Sequence, residues 1–173
     1  MNIKKIIDKR LVLFIPALVM MYIIFSFSSD DAKESSSLSL EVTTDIVKAV
    51  DEVVYDNSMD DTTFKDYVKK LHLPVRKGAH MTEYALLAIL IFLPLLAYCI
   101  RFTFSHYLSP VVVVFLYACT DEFHQTYING RAGQMTDVLI DTSGAVIAII
   151  LAFLNVKLIS YIKRKKSKKE LTN

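Results

Sequence analysis

The sequence predicts an all-α polytopic membrane protein, with four transmembrane helices and an amphipathic helical insertion on the extracytoplasmic side. Three observations predict it. Apolar residues make up 53% of the 173 and mean hydropathy is +0.38, although an ordinary 22% of residues are charged. The apolar residues must therefore be gathered into blocks. Those blocks recur along the chain at lengths suited to membrane-crossing helices. Cations and acids are also segregated by segment rather than mixed. The 10 Phe and 9 Tyr exclude a disordered chain. A disulfide scaffold is excluded by only two cysteines, Cys99 and Cys119, each inside an apolar run.

The first span, about 11–27, follows a basic start at residues 1–10. Leu11 to Phe27 is 17 residues without a charge, close to the lower limit for crossing a bilayer. A cleaved signal peptide is the other reading of such a segment. The following SFSSDDAKESSS offers no clear small-x-small cleavage site, and more spans follow, so an uncleaved span is expected. Residues 28–77 are polar and form the insertion. Val42, Ile46, Val50 and Val53/Val54 recur at helical spacing, as do Phe64, Val68 and Leu71 after an Asp61 cap, and both stripes read as packing on the membrane surface or the bundle. Pro74 is expected to stop the second of these helices.

The second span, about 80–100, carries the apolar run Tyr84–Ile100, with a kink at Pro94 and its end at Arg101. Ser109-Pro110 is expected to open the third, about 109–125, by the cap-then-proline pattern. Its apolar stretch Pro110–Thr120 has 11 residues, enough for roughly half of a ~30 Å hydrocarbon core. Either that helix is short and sunk, or Asp121, Glu122 and His124 lie below the outer interface. The fourth span, about 137–157, begins with Asp137 and Asp141, and a basic, disordered tail is expected over 163–173. Domain boundaries follow: a cytoplasmic N-terminus 1–10, a membrane domain 11–156 and a basic cytoplasmic tail 157–173.

The charges set the orientation. Residues 1–10, the 101–109 loop and the chain from Lys157 onward hold 12 of the 20 Lys and Arg and two of the 18 acids. One side therefore carries +10 and the other −8, which sum to the net +2. Four spans with both termini on the cation-rich side satisfy the positive-inside rule, so both ends are expected in the cytoplasm. The six Lys and Arg after Tyr161 read as a topology signal and as a contact for anionic lipid. No nucleic-acid partner is expected.

That topology brings ionisable residues from three separate segments to one depth near the outer interface. Arg76, Lys77, His80 and Glu83 enter span two, Asp121, Glu122, His124 and Gln125 leave span three, and Arg131, Asp137 and Asp141 lead into span four. Ionisable groups at bilayer depth are expensive and mark function by default. His80 and Glu83 are spaced i, i+3, and Asp137 and Asp141 i, i+4, so each pair shares a helix face. Carboxylate–imidazole pairs suit general acid/base work, which makes His80, Glu83, Glu122 and His124 the catalytic candidates. Arg76, Lys77 and Arg131, with Gln125, are candidates to hold a phosphate-bearing substrate. Asp121, Asp137 and Asp141 are candidate ligands for a divalent metal. A second reading makes the same residues ion pairs, His80 with Glu83 and Arg131 with Asp121 or Glu122, that fix helix packing. His72 and His106 read as interfacial, Asn129-Gly130 as a turn, Gly133 as loop punctuation and Gly144 as a close helix contact.

Two segments carry a family resemblance, RKGAHMTEYALLAILI and DEFHQTYINGRAGQMTDVLIDTSGA. They resemble the VanZ-like family of small integral membrane proteins. Its pattern places a basic residue before His, then Glu-Tyr, later Asp-Glu-x-His-Gln, Gly-Arg, and Asp before the last span. Lys77, His80, Glu83, Tyr84, Asp121, Glu122, His124, Gln125, Gly130, Arg131 and Asp137 occupy these positions. Asp141 stands where the pattern more often has Asn, and the segment 38–72 matches no family pattern. The resemblance implies a four-helix protein of the bacterial cytoplasmic membrane, associated with teicoplanin resistance; the polar cluster, opening towards the outer leaflet, makes an anionic lipid or a lipid-linked cell-wall precursor the expected partner. The resemblance implies no reaction.

Overall fold

A computed structural model describes residues 11–98 and 103–170, with the side chains of 168–170 left aside. The basic residues 1–10, Cys99, the expected end of span two at Arg101, and residues 171–173 lie outside the described residues. Among the described residues every regular element is a helix. A short 3-10 turn, Val12–Phe14, leads into α1 (Ile15–Ser28), followed by α2 (Ala32–Val54), α3 (Asp61–Tyr98), α4 (Phe104–Gln125) and α5 (Met135–Glu170). The all-helical expectation holds. By length and apolar content α3 and α5 can each cross a membrane, and the bent pair formed by the first helix and α2 makes a third candidate. The fourth expected crossing, α4, is not among these helices.

α1 and α2 meet at 107° across a three-residue break. Asp31 starts α2 by accepting the Glu34 N–H at 2.8 Å, satisfying one of the free amides of the first turn. Of the two expected settings for the stripe Val42, Ile46, Val50 and Val53, membrane surface or bundle, the bundle does not cover it: these residues are the exposed face of α2, whereas Thr43 and Val47 are buried. His72 joins α2 to α3, its Nε2 lying 2.8 Å from Ser39 Oγ and 3.2 Å from the Ser36 carbonyl. It therefore has a specific partner across two helices, which its expected interfacial role does not describe.

α3 differs most from expectation. Its cap is Asp60 rather than Asp61: one Asp60 carboxylate oxygen accepts the N–H groups of Thr62 and Thr63, each at 3.0 Å. The helix then runs unbroken through Pro74 and Pro94 to Tyr98. Pro74 cannot donate to the Lys70 carbonyl, but both residues are exposed, so solvent can take over that acceptor. The insertion helix and span two are thus one 38-residue helix. α4 also starts earlier than expected. Thr103 forms a reciprocal capping box with His106, which fixes the start five residues before Ser109 and places Pro110 inside the helix. α5 continues as helix to Glu170, so most of the tail expected to be disordered is an extension of the last span.

The core joins α1, α3, α4 and α5. Ala17 and Ile24 of α1 pack with Tyr84, Leu87, Ala88, Ile91 and Phe92 of α3, while Val114 and Ala118 of α4 and Val138, Ala145 and Ile149 of α5 close the cluster. α3 and α5 form the most extensive helix pair. At their crossing Gly144 is essential: a Cβ there would overlap the Met81 carbonyl oxygen and lie 2.9 Å from Met81 Cγ. Beyond this core, α5 turns Leu139, Ile147, Ile150, Leu151, Leu154 and Leu158 outward, each at least half exposed. Apolar area on this scale is at home in lipid rather than water.

Candidate functional site

The loop between α4 and α5 is held down at three points, and this fixes the site. Glu122 Oε2 accepts the Gln134 N–H at 2.8 Å, the Asn129 carbonyl accepts the Ala32 N–H at 3.3 Å, and Arg131 Nη2 donates to the Phe27 carbonyl at 3.4 Å. Gly130 turns the chain with φ +77°, a conformation that glycine adopts without strain. A Cβ on Gly133 would lie 2.5 Å from the Glu122 carbonyl oxygen and 2.8 Å from Thr126 Cγ2. Gly133 is therefore a close backbone contact and more than the punctuation read from sequence. The Arg131 contact falls on the last turn of α1, where free carbonyls and the negative end of the helix dipole attract a cation.

With the loop in place, eight of the eleven candidate residues line one cavity of about 330 Å³. α3 contributes Arg76, Lys77 and His80; α4 contributes Glu122 and Gln125; Arg131 comes from the loop, and Asp137 and Asp141 from α5. Gln134, which the sequence reading did not single out, lines it too. The three segments expected to converge do so. Glu83 opens into a neighbouring groove of about 290 Å³, which shares Arg76 and His80 with the first cavity. It stands 3.6 Å from His80 Nδ1.

Asp121 lies beneath the cavity, 4% exposed. Its Oδ2 accepts the Tyr84 O–H and the Gln125 Nε2–H, each at 3.1 Å, while Oδ1 is buried without a hydrogen-bond partner. The Tyr84 hydroxyl was not put forward as a site group. Its signal was a polar-tipped side chain opening an apolar run, which is the usual dress of a buried tyrosine with one partner. His124 does not join the cavity. Its ring packs on Phe25 with centroids 4.5 Å apart, and its Nδ1 is buried without a hydrogen-bond partner. Adjacent residues of a helix point about 100° apart, so Gln125 faces the cavity while His124 faces α1.

Of the two expected ion pairs, His80 and Glu83 approach each other, but Arg131 has no carboxylate within ion-pairing distance among the described residues. Lys77 Nζ instead meets Asp137 Oδ1 at 3.1 Å and ties α3 to α5. The metal expectation for Asp121, Asp137 and Asp141 meets a different geometry. Asp121 is committed to Tyr84 and Gln125, and Asp137 to Lys77. Among the described residues no three His, Cys, Asp or Glu side chains are grouped to hold a metal ion.

The electrostatic feature that remains open is Arg131. Its Nε and Nη1 are buried without hydrogen-bond partners. Burial, and next the neighbouring Arg76 cation, push the guanidinium down from its ordinary value, against the pull of Asp121, Asp30 and Glu122. Even so, a guanidinium remains charged at neutral pH. Arg76 and Arg131 both line the cavity and neither forms an ion pair among the described residues, although Glu122, Asp137 and Asp141 line it too. Such an arrangement is complementary to an anion with several acceptor oxygens.

Among comparisons with known proteins, a family model described as VanZ/LLP1 matches residues 13–157. No curated protein and no solved structure matches the chain.

Proposed function

The chain belongs to the VanZ-like family, a membrane family linked to glycopeptide resistance, and on that premise we propose that it acts at the bacterial cell envelope by holding the phosphate-bearing head group of a lipid or lipid-linked glycan in its cation-lined cavity. The observation that carries the reading is Arg131, whose Nε and Nη1 are buried with no partner beside Arg76. Leaving a buried donor unpaired costs about 1–3 kcal/mol, and more when it is charged. A phosphate accepting from both guanidinium groups removes that penalty, beside a Lys77 whose charge is already met by Asp137. In this reading the chain makes four crossings with both termini in the cytoplasm, and the cavity faces the outer leaflet.

The test uses the full-length protein in detergent and native mass spectrometry with phosphatidic acid as probe. Wild type retains the lipid, and Arg131→Ala loses it by at least about tenfold, as expected for removal of a charge-assisted pair. Equal retention by a folded Arg131→Ala protein would overturn the proposal. In cells, expression of the wild type lowers teicoplanin susceptibility, and the same variant abolishes that effect.

A second reading, a hydrolase or transferase on the same head group, is favoured by the His80–Glu83 pair at the junction of cavity and groove. His80 would give or take the proton and Glu83 would orient its ring. A binder keeps its phenotype in His80→Ala and Glu83→Asp proteins, whereas an enzyme loses it in both while still retaining phosphatidic acid.

A further inference from the structure

We infer that the ligand carries its phosphate on an apolar chain, and that this chain leaves the head-group cavity through the groove between α2 and α3. The inference rests on the head-group reading above and adds the path that the apolar chain takes. Cavity and groove are not separate sites, because Arg76 and His80 line both. Beyond those two residues the walls become apolar: Phe27 at the end of α1, Leu38 and Val42 on α2, and Val75 and Ala79 on α3. Phe27, Leu38 and Val42 are each about half exposed, so the apolar walls continue onto the outer surface of the helices.

The charges give the ligand a direction. In the cavity Arg76, Lys77 and Arg131 are matched by Glu122, Asp137 and Asp141, while in the groove Arg76 stands against both Asp30 and Glu83. A phosphate meets the unpartnered Arg131 donors in the cavity and a net negative wall in the groove. What fits the groove is an uncharged, apolar extension of a molecule whose anionic end is already held by Arg76 and Arg131. A free phosphate ion would use the cavity alone and leave the groove as exposed apolar surface. A lipid fills both, with its chain passing out between α2 and α3 towards the hydrocarbon.

Two probes and three variants of the full-length protein in detergent test this. Phosphatidic acid and glycerol 3-phosphate share the same phosphate chemistry, and only the first has a chain. Wild type is expected to hold phosphatidic acid at least about tenfold more tightly, the equivalent of roughly two methylene groups removed from water. Val42→Trp and Ala79→Leu fill the groove from opposite helices, so failure of one to fold leaves the other. Each is expected to remove that preference while glycerol 3-phosphate binding is unchanged. Phosphatidic acid carrying a diazirine near the start of its chain should crosslink to residues of α2 and α3. If both probes bind wild type equally, or the filled grooves retain the lipid in full, the chain does not use the groove, and the head-group reading stands provided Arg131→Ala still abolishes binding. If neither probe binds wild type, both readings fall.

Discussion

Arg131 and Tyr84 show how differently a polar side chain can be used in and beneath one cavity. Tyr84 is fully buried, and its hydroxyl serves one oxygen of Asp121. Tyr84→Phe deletes that donor and leaves Gln125 alone on Oδ2. The expected loss is about 1 kcal/mol, read as a fall in melting temperature of roughly 2–4 °C in detergent for a chain of this size. Ligand binding should survive, since Tyr84 does not line the cavity. Arg131→Lys should do the opposite: it keeps the charge and the fold but loses the fork geometry, so lipid retention falls while the melting temperature holds. Most of the site was legible at this scale, because ionisable residues in apolar surroundings stand out in any sequence. The side on which each residue points was not. His124 and Gln125 are neighbours in sequence, yet one packs on Phe25 and the other lines the cavity.

At the scale of elements, α3 carries both the largest surprise and the clearest tests. Asp60 caps its first turn. Hydrogen bonds from the Thr62 and then the Thr63 hydroxyl, with the backbone amides, keep its carboxyl well below the usual carboxylate range. A carboxyl depressed in the folded state contributes its stabilisation above its unfolded pKa, near 3.9. That contribution fades as pH falls from there towards the lower folded value. Protection from hydrogen exchange at Thr62 and Thr63, taken relative to the intrinsic rate at each pH, should therefore hold down to about pH 4 and fall below it, while Asp60→Ala should lack that protection at every pH. The glycines of the same region separate packing from propensity. Gly78 has open space around its Cβ position, whereas Gly144 faces the Met81 backbone. Gly78→Ala should stabilise by about 0.5–1 kcal/mol through helix propensity alone. Gly144→Ala should destabilise by about 1–3 kcal/mol, because a backbone oxygen cannot rotate aside. Thermal melts of the two variants in detergent should shift in opposite directions. Helix existence was readable from the apolar periodicity, and the helix ends were not. Pro74 reads as a stop because sequence does not reveal that the Lys70 carbonyl it leaves unpaired is solvent-facing, and the start at Thr103 is hidden because a capping box depends on how His106 turns back.

For the molecule as a whole, the charge division of +10 and −8 leads to a test of orientation. In a background lacking Cys99 and Cys119, a cysteine at Asn57, in the turn between α2 and α3, should react with a membrane-impermeant maleimide on intact cells. A cysteine at Ser167, near the end of α5, should react only after permeabilisation. Reaction of both on intact cells would refute the orientation with both ends inside. The sequence by itself determined that the chain is helical, that it is built for lipid, and that three distant segments carry ionisable groups of both signs beside apolar runs. These follow from composition, periodicity and charge segregation, which act residue by residue along the chain and need no partner. Tertiary structure alone decided which of those groups are spent on one another and which remain open. Lys77 finds Asp137, Asp121 finds Tyr84 and Gln125, and Arg131 is brought beside Arg76 with two buried nitrogens unmet. Pairing is a matter of distances of 3–4 Å between residues as far apart in sequence as Lys77 and Asp137. Such distances are set by the 107° corner of α1 and α2, the close crossing at Gly144 and the clamped loop before α5, and each of these is a property of packing that no single segment contains.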